Sequence, residues 1–187
     1  MKRIVLFASG SGTNVENIAR YFQGNEKVTL ACVFSNKRQA KVLERCNNLN
    51  ISYLCFNKQA FYNTTCVLDA LKGLKPDLIV LAGFLLKIPE NLVQEFPNKI
   101  INIHPALLPK YGGKGMYGMH VHQAVKDNNE EETGITIHYV NEKYDDGAII
   151  KQFTTKILPQ DSAETIAQKV HQLEYEHFPE TISNLLL

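Results

Sequence analysis

The chain has 187 residues, 44% of them hydrophobic, and its 20 basic and 19 acidic side chains leave a formal net charge of +1. This length and composition predict one compact domain over residues 1–187 with a full apolar core, and they exclude an intrinsically disordered chain. The balanced charge gives no electrostatic reason to expect a nucleic-acid or membrane partner.

Short apolar runs and isolated cysteines predict a soluble, cytoplasmic protein. The run at residues 4–8 is too short for the core of a signal peptide, and the run at residues 78–86 is too short to span a bilayer. The cysteines contain no C-x-x-C pair, which argues against a structural zinc site and leaves reduced thiols. They are Cys32, Cys46, Cys55 and Cys66.

The first half of the chain alternates β-rich runs with helical segments. We predict strands over residues 4–8, 28–35, 52–56 and 78–82, and helices over residues 14–22, 40–49 and 61–74. The last of these strands is continuously apolar, which is typical of a parallel strand covered on both faces. The alternation predicts an α/β fold with a doubly wound, mostly parallel, Rossmann-like sheet.

The second half departs from this alternation. Residues 100–103 form a further buried strand, but residues 134–140 and 148–155 are β-rich without an intervening helix. The segment that joins them ends in Asp145-Asp146-Gly147, and Asp-Gly between two strands favours a hairpin. We therefore predict an antiparallel hairpin near the C-terminal side, followed by a closing helix that Ser162 caps.

A glycine-rich turn, Ser9-Gly10-Ser11-Gly12-Thr13-Asn14, lies between the first strand and the first helix. Glycines let the backbone approach a ligand, and the free N–H groups at a helix start favour an anion. The turn therefore predicts a phosphate cradle, although an ordinary strand-to-helix turn would look similar. Val15 stands where a dinucleotide-binding fingerprint needs a third glycine, so NAD binding is disfavoured.

Asn102-Ile103-His104-Pro105 ends a buried strand, and alternation puts Asn102 and His104 on the same side of that strand. The carboxyl end of a parallel strand is where α/β folds build active sites. Buried Asn and His residues can also be structural polar groups, and Asp145 can be a plain turn residue.

His120-Val121-His122 raises the question of a metal site, with His104 or His138 as a third ligand. Residues 119–126 have a helical pattern, however, and two side chains two positions apart on a helix point in nearly opposite directions. We therefore expect no metal.

Several motifs together resemble the folate-dependent formyltransferase family, and the resemblance covers nearly the whole chain. The motifs are residues 9–14 (SGSGTN), 33–37 (VFSNK), 81–84 (LAGF), 102–111 (NIHPALLPKY), 133–138 (TGITIH) and 145–150 (DDGAII). The resemblance implies transfer of a formyl group from 10-formyltetrahydrofolate, as co-substrate, to the amine of 5'-phosphoribosylglycinamide in purine synthesis.

The family's catalytic trio falls on Asn102, His104 and Asp145. Amine attack on a formyl carbonyl creates a tetrahedral oxyanion, for which Asn102 and a protonated His104 are suitable donors. Asp145 would relay the amine proton, and we expect its charge to raise the pKa of His104.

By the same resemblance, two sets of residues contact the ligands. The substrate set is Gly12, Thr13, Asn14 and Lys110 for the phosphate and Glu174 for the amine, and the folate set is Leu86, Ile88, Val140, Asn141 and Tyr144. The sequence departs from the family at position 86, which is Leu where some relatives have Arg. Residues 112–118 are also richer in glycine than the family pattern, which predicts either a flap over the substrates or an idle surface loop.

Three alternatives share part of this pattern. A 10-formyltetrahydrofolate hydrolase has the same trio, but we expect an amino-terminal regulatory domain before it. A methionyl-tRNA formyltransferase needs a basic RNA-binding face, which the charge argues against. A catalytically idle binding module on the same fold is the third alternative.

Overall fold

The computed structural model describes residues 1–187, and its seven strands form a single sheet. The strands are β1 (Lys2–Phe7), β2 (Val28–Ser35), β3 (Tyr53–Cys55), β4 (Leu78–Leu81), β5 (Ile100–His104), β6 (Glu132–Tyr139) and β7 (Ile149–Lys156). The helices are α1 (Thr13–Tyr21), α2 (Lys41–Asn48), α3 (Lys58–Tyr62), α4 (Cys66–Leu74), α5 (Glu90–Glu95), α6 (Met119–Asp127) and α7 (Ala163–Leu186).

The strand order is β3-β2-β1-β4-β5-β6-β7. Strands β1 to β5 run parallel to one another, whereas β6 is antiparallel to both β5 and β7. The prediction of a doubly wound, mostly parallel sheet with an antiparallel hairpin is therefore confirmed.

Alternation along the strands separates two apolar clusters, one on each face of the sheet. In β1, Ile4 and Leu6 enter the cluster beneath α1, α2, α6 and α7, while Val5 and Phe7 enter the cluster beneath α3, α4 and α5. Phe7 packs edge-on against Phe84, with ring centroids 5.1 Å apart. Burying both faces of the central strands explains why their sequences are continuously apolar.

Two local features differ from the prediction. The helix predicted over residues 61–74 is two helices, because Asn57 caps α3 and Thr64 bonds the carbonyl of Ala60 and the N–H of Cys66 between the two helices. Helix α5 was not predicted. The predicted hairpin is present, and the segment that joins β6 to β7 is a loop over residues 140–148.

The strand order changes direction between β1 and β4. Because β1 pairs with β2 on one side and β4 on the other, the chain after β1 enters α1 on one face of the sheet and the chain after β4 enters α5 on the other face. The Ser9 N–H donates to Gly83 O across 3.0 Å, and the Leu85 N–H donates to Ser9 Oγ across 2.9 Å. Open α/β sheets bind ligands at such a switch point.

Helix α7 closes the face that carries α1 and α6. It begins at Ser162, whose side chain accepts the N–H of Thr165, and its buried stripe includes Ile166, Val170 and Phe178. Neither this helix nor any other is both long and apolar enough to cross a membrane.

Candidate active site

The turn between β1 and α1 leaves a row of backbone donors without a protein acceptor. The N–H groups of residues 10–15 form no hydrogen bond within the chain, and the first helical bond runs from Glu16 N to Gly12 O across 2.9 Å. Gly12 has φ +74°, and a Cβ there would lie 2.5 Å from Val42 Cγ2, so only glycine fits. Free N–H groups at the positive end of a helix suit an anion at the predicted cradle of Gly12, Thr13 and Asn14.

Asn14 connects this cradle to α7. Its Nδ2 donates to Glu174 Oε2 across 2.9 Å, and His171 Nδ1 donates to the same oxygen across 3.0 Å. This hydrogen bond raises the pKa of His171, outweighing the partial loss of water around the ring. Glu174 is buried, and Oε1, its other oxygen, accepts no hydrogen bond from the chain, which leaves an anionic acceptor open to a cationic amine.

The predicted catalytic trio comes together where β5 ends. Asn102 and His104 project from this strand, and Asp145 reaches them from the 140–148 loop, where its φ is +51°. His104 Nδ1 lies 3.6 Å from Asp145 Oδ2, and Asn102 Nδ2 lies 3.4 Å from Asp145 Oδ1. The structure thus places all three side chains around one point.

Several contacts hold Asp145 in its ionised form. Burial alone would raise the pKa of the carboxyl, but the neighbouring His138 and His104 and the Gly113 N–H together lower it below its ordinary value. The Gly113 N–H donates to Asp145 Oδ2 across 2.9 Å. Gly147, two residues on, approaches Tyr139 O so closely that a Cβ would lie 1.8 Å from it. This glycine therefore fixes where the loop returns to the sheet.

Opposing influences set the pKa of His104. Burial lowers the pKa of its imidazole, outweighing both the attraction of Asp145 and the hydrogen bond to Tyr111 O. Asp145 raises this pKa, as the sequence predicted, but removing the ring from water disfavours the imidazolium more than one carboxylate favours it, so the net shift is downward. The Nε2–H donates to Tyr111 O across 2.7 Å, so Nδ1 is the nitrogen that faces Asp145.

His138 also belongs to this cluster, although the sequence reading gave it no catalytic role. It lies in β6 directly opposite Asn102, and its Nε2 is 3.0 Å from Asn102 Nδ2. Only the antiparallel pairing of β5 and β6 brings these two residues together. The motif TGITIH was recognisable in the sequence, but the register of the two strands was not.

The start of the glycine-rich segment packs against the trio. Tyr111 supplies its carbonyl to His104, and Gly113 supplies its N–H to Asp145. A Cβ at Gly112 would lie 2.5 Å from Leu108 Cδ2 and 3.3 Å from Asp145 Cβ. This part of the segment is therefore built into the site rather than being an idle surface loop.

The residues predicted to bind folate lie on two neighbouring loops. Leu86 and Val140 pack at the edge of the apolar cluster that contains Ile88, and Tyr144 faces Lys87 with its ring centroid 6.0 Å from Nζ. Asn141 is occupied within its own loop, where its Oδ1 accepts the Lys143 N–H.

Lys110 has an anionic partner already. Its Nζ lies 2.9 Å from Glu130 Oε1, and the neighbouring Tyr111 hydroxyl donates to the same oxygen. No contact connects Lys110 with the phosphate cradle, so its phosphate role stays a prediction.

The two histidines of α6 differ sharply in environment. His120 is exposed, whereas His122 is buried between α6 and α7 with no partner for Nδ1. Burial first, then the nearby His171, lowers the pKa of His122 to about 4. The helix thus separates the two rings, as the sequence predicted.

Comparison with known proteins places this chain in a family. The family model described as formyl transferase matches residues 2–182. The chain belongs to the formyl transferase family. It is therefore a one-carbon transferase, and the trio described above lies within the matched region.

Individual relatives show which members of the family this chain is similar to. Phosphoribosylglycinamide formyltransferase of Bacillus subtilis is 37% identical, with 100% of this chain and 95% of that protein covered. The chloroplastic enzyme of the same name from Arabidopsis thaliana is 35% identical over 97% of this chain, which spans 64% of that protein. The crystal structure of glycinamide ribonucleotide transformylase 1 from Geobacillus kaustophilus superposes with TM-score 0.90 at 34% identity, covering 100% of both chains.

Proposed function

We propose that this formyltransferase moves the formyl group of 10-formyltetrahydrofolate to the amine of 5'-phosphoribosylglycinamide. The names of the relatives support the formyl transfer and its acceptor, and the donor is the one that the sequence resemblance implies. The observation that carries the proposal is the meeting of Asn102, His104 and Asp145 at the carboxyl end of β5. An amide donor, an imidazole and a carboxylate are sufficient for direct acyl transfer to an amine.

The two ends of the ribotide have chemically matched positions in the molecule. Its phosphate would accept hydrogen bonds from the free N–H groups of the cradle. Asn14 would contribute its backbone N–H rather than its side chain, since the side chain already donates to Glu174. Its ammonium group would meet Glu174 Oε1. Because Asn14 and His171 hold the other oxygen, the carboxylate is already oriented before the amine arrives.

The chemistry needs no covalent enzyme intermediate. The bound ammonium group first loses one proton to solvent. The resulting neutral amine attacks the formyl carbon, a new C–N bond forms, and the carbonyl oxygen becomes an oxyanion that Asn102 stabilises with an N–H. The bond from the formyl carbon to N10 of the folate then breaks, and N10 gains the proton that the amine loses.

Burial lowers the pKa of His104, which favours the neutral ring over the imidazolium in the free protein at neutral pH. Its Nδ1 therefore starts as a base that can accept the amine proton, with Asp145 at 3.6 Å favouring the charged ring once it forms. The imidazolium is then a donor to the oxyanion and a proton source for N10. On this route the charge of His104 appears during the reaction rather than before it.

The folate would lie against the 83–88 and 140–148 loops. Leu86 and Val140, which pack against the cluster that contains the buried Ile88, offer an apolar surface for its ring, and backbone groups of the second loop offer polar contacts. Tyr144 stands at the outer edge of this surface, where it is 44% exposed.

The substitution Glu174→Gln tests the ribotide half of the proposal. It keeps the size of the side chain but removes the charge that holds an ammonium group, so we expect a higher KM for the ribotide and an unchanged KM for the folate. Glu176→Gln is the matched control, because Glu176 is exposed on the same helix. Equal effects of the two substitutions would reject Glu174 as the residue that binds the amine.

A further inference from the structure

His138 is fully enclosed and has a neighbour at each ring nitrogen. It is 2% exposed. Its Nδ1 lies 2.8 Å from the carbonyl oxygen of Tyr139, and its Nε2 lies 3.0 Å from Asn102 Nδ2 and 3.6 Å from Asp145 Oδ1, the last beyond hydrogen-bond distance. A carbonyl oxygen can only accept, so the proton that makes the first bond must be on Nδ1. The lone pair of a neutral ring is then on Nε2, where it accepts an N–H of Asn102.

Asp145 reinforces the same orientation of the Asn102 amide. Its Oδ1 lies 3.4 Å from Asn102 Nδ2, and an ionised carboxylate is an acceptor only. If the amide were reversed, Asn102 Oδ1 would face this carboxylate and the lone pair of His138. Two acceptors therefore select the NH₂ group for this position and turn the amide oxygen away.

We propose that His138 is a positioning residue for formyl transfer: with its proton on Nδ1, it holds Asn102 so that an amide N–H, and not the amide oxygen, faces the developing oxyanion. The inference rests on the proposed function. One N–H is held by His138. The planar amide fixes the direction of the other N–H, which makes only a long 3.4 Å contact with Asp145 and is therefore the donor available to an oxyanion on that side.

Loss of this contact should act on the transition state. Without an acceptor at His138, the carboxamide can rotate by half a turn and present its oxygen to an oxyanion. Removing one oxyanion donor lowers kcat by about 10²–10³-fold in other enzymes, and we expect a loss of this order. KM should change little, because the oxyanion is absent from the ground state.

The variants are His138→Leu, which cannot accept a hydrogen bond, and His138→Gln, whose carbonyl oxygen can. We expect His138→Leu to show the loss in kcat, and His138→Gln to recover most of it, to within about tenfold of wild type. His120→Gln is the control, since His120 is an exposed histidine of α6. Wild-type kcat in His138→Leu, or equal losses in both His138 variants, would overturn the inference.

A spectroscopic measurement on the unmodified protein covers the case in which His138→Leu does not fold. Nitrogen-15 spectra of histidine-labelled wild type near neutral pH should show His138 protonated on Nδ1 and unprotonated on Nε2. A proton on Nε2 would overturn the inference. A wild type that has this tautomer but does not formylate the ribotide would instead refute the proposed function, so the two failures are distinguishable.

Discussion

Asp145 is the single side chain on which the proposed chemistry depends most. Asp145→Asn keeps the shape, so we expect substrates to bind with little change in KM. It removes the charge that favours the His104 imidazolium, and kcat should fall by about 10²–10⁴-fold, the usual contribution of a positioned acid–base group. Steady-state kinetics on purified protein would measure this.

Asp146→Asn is the internal control for this prediction. Asp146 is exposed, and its contacts are with Asn141 and Lys143 of its own loop. We expect it to cost less than about tenfold in kcat, because it touches no member of the trio. If Asp146→Asn proved as damaging as Asp145→Asn, the proton route would have been placed on the wrong carboxylate.

The buried His122 should make the free energy of unfolding depend on pH. Its pKa in the folded protein is about 4 against an ordinary value of 6.5, so the unfolded chain binds the proton first as the pH falls. Stability from this residue is therefore present above its unfolded pKa and is lost as the pH drops from 6.5 towards 4. His171, Glu174 and His104 are the titratable groups nearest to it.

His122→Gln removes this titration. Between about pH 7.5 and about pH 5, we expect the wild type to lose about 2 kcal/mol of unfolding free energy that the variant retains. Urea unfolding of both proteins at the two pH values measures the difference. A constant gap between the two proteins would show that His122 takes up its proton equally in the folded and unfolded states.

At the scale of elements, the start of α1 depends on one backbone conformation. Gly12→Ala should lower the free energy of unfolding by about 1–2 kcal/mol through the left-handed backbone alone, and by more through the clash with Val42. It should also weaken ribotide binding more than folate binding. Gly10→Ala is the matched control in the same turn, since a Cβ there meets nothing within 4 Å. Calorimetric titration with each ligand separates the two effects.

Two outcomes would contradict the phosphate cradle. If Gly12→Ala weakened the binding of both ligands equally, the change would reflect general unfolding rather than loss of a phosphate site. The same conclusion would follow if Gly10→Ala weakened ribotide binding as much as Gly12→Ala does.

Elements differ in how far the sequence predicted them. The central strands were predictable because burial on both faces makes them continuously apolar. The glycine-rich turn after β1 was predictable because its backbone requires glycine. The break between α3 and α4 was not, since it depends on hydrogen bonds from Thr64 that compete with the helix.

The residues of the candidate site also differ in how far the sequence predicted them. Asn102, His104 and Asp145 were predicted because they lie in the motifs on which the family resemblance rests. His138 needed the register of β5 and β6, and the net direction of the His104 pKa needed the burial of the ring. Both depend on contacts between segments far apart in the chain, which no local pattern records.

At the scale of the whole molecule, the fold brings the two proposed ligand surfaces to one edge of the sheet. The proposed ribotide surface combines the turn after β1 with α7, which are joined by the Asn14–Glu174 hydrogen bond. The proposed folate surface combines the loops after β4 and β6. The trio lies where the loop after β6 meets the end of β5.

The most direct test of the central claim is a single-turnover experiment. Excess enzyme is mixed with 10-formyltetrahydrofolate, with and without 5'-phosphoribosylglycinamide, and the formyl group is followed to its product. We expect rapid formation of formylated ribotide only when the ribotide is present, and little formate in its absence. Release of formate at the same rate with and without the ribotide would show that water is the acceptor and would contradict the account.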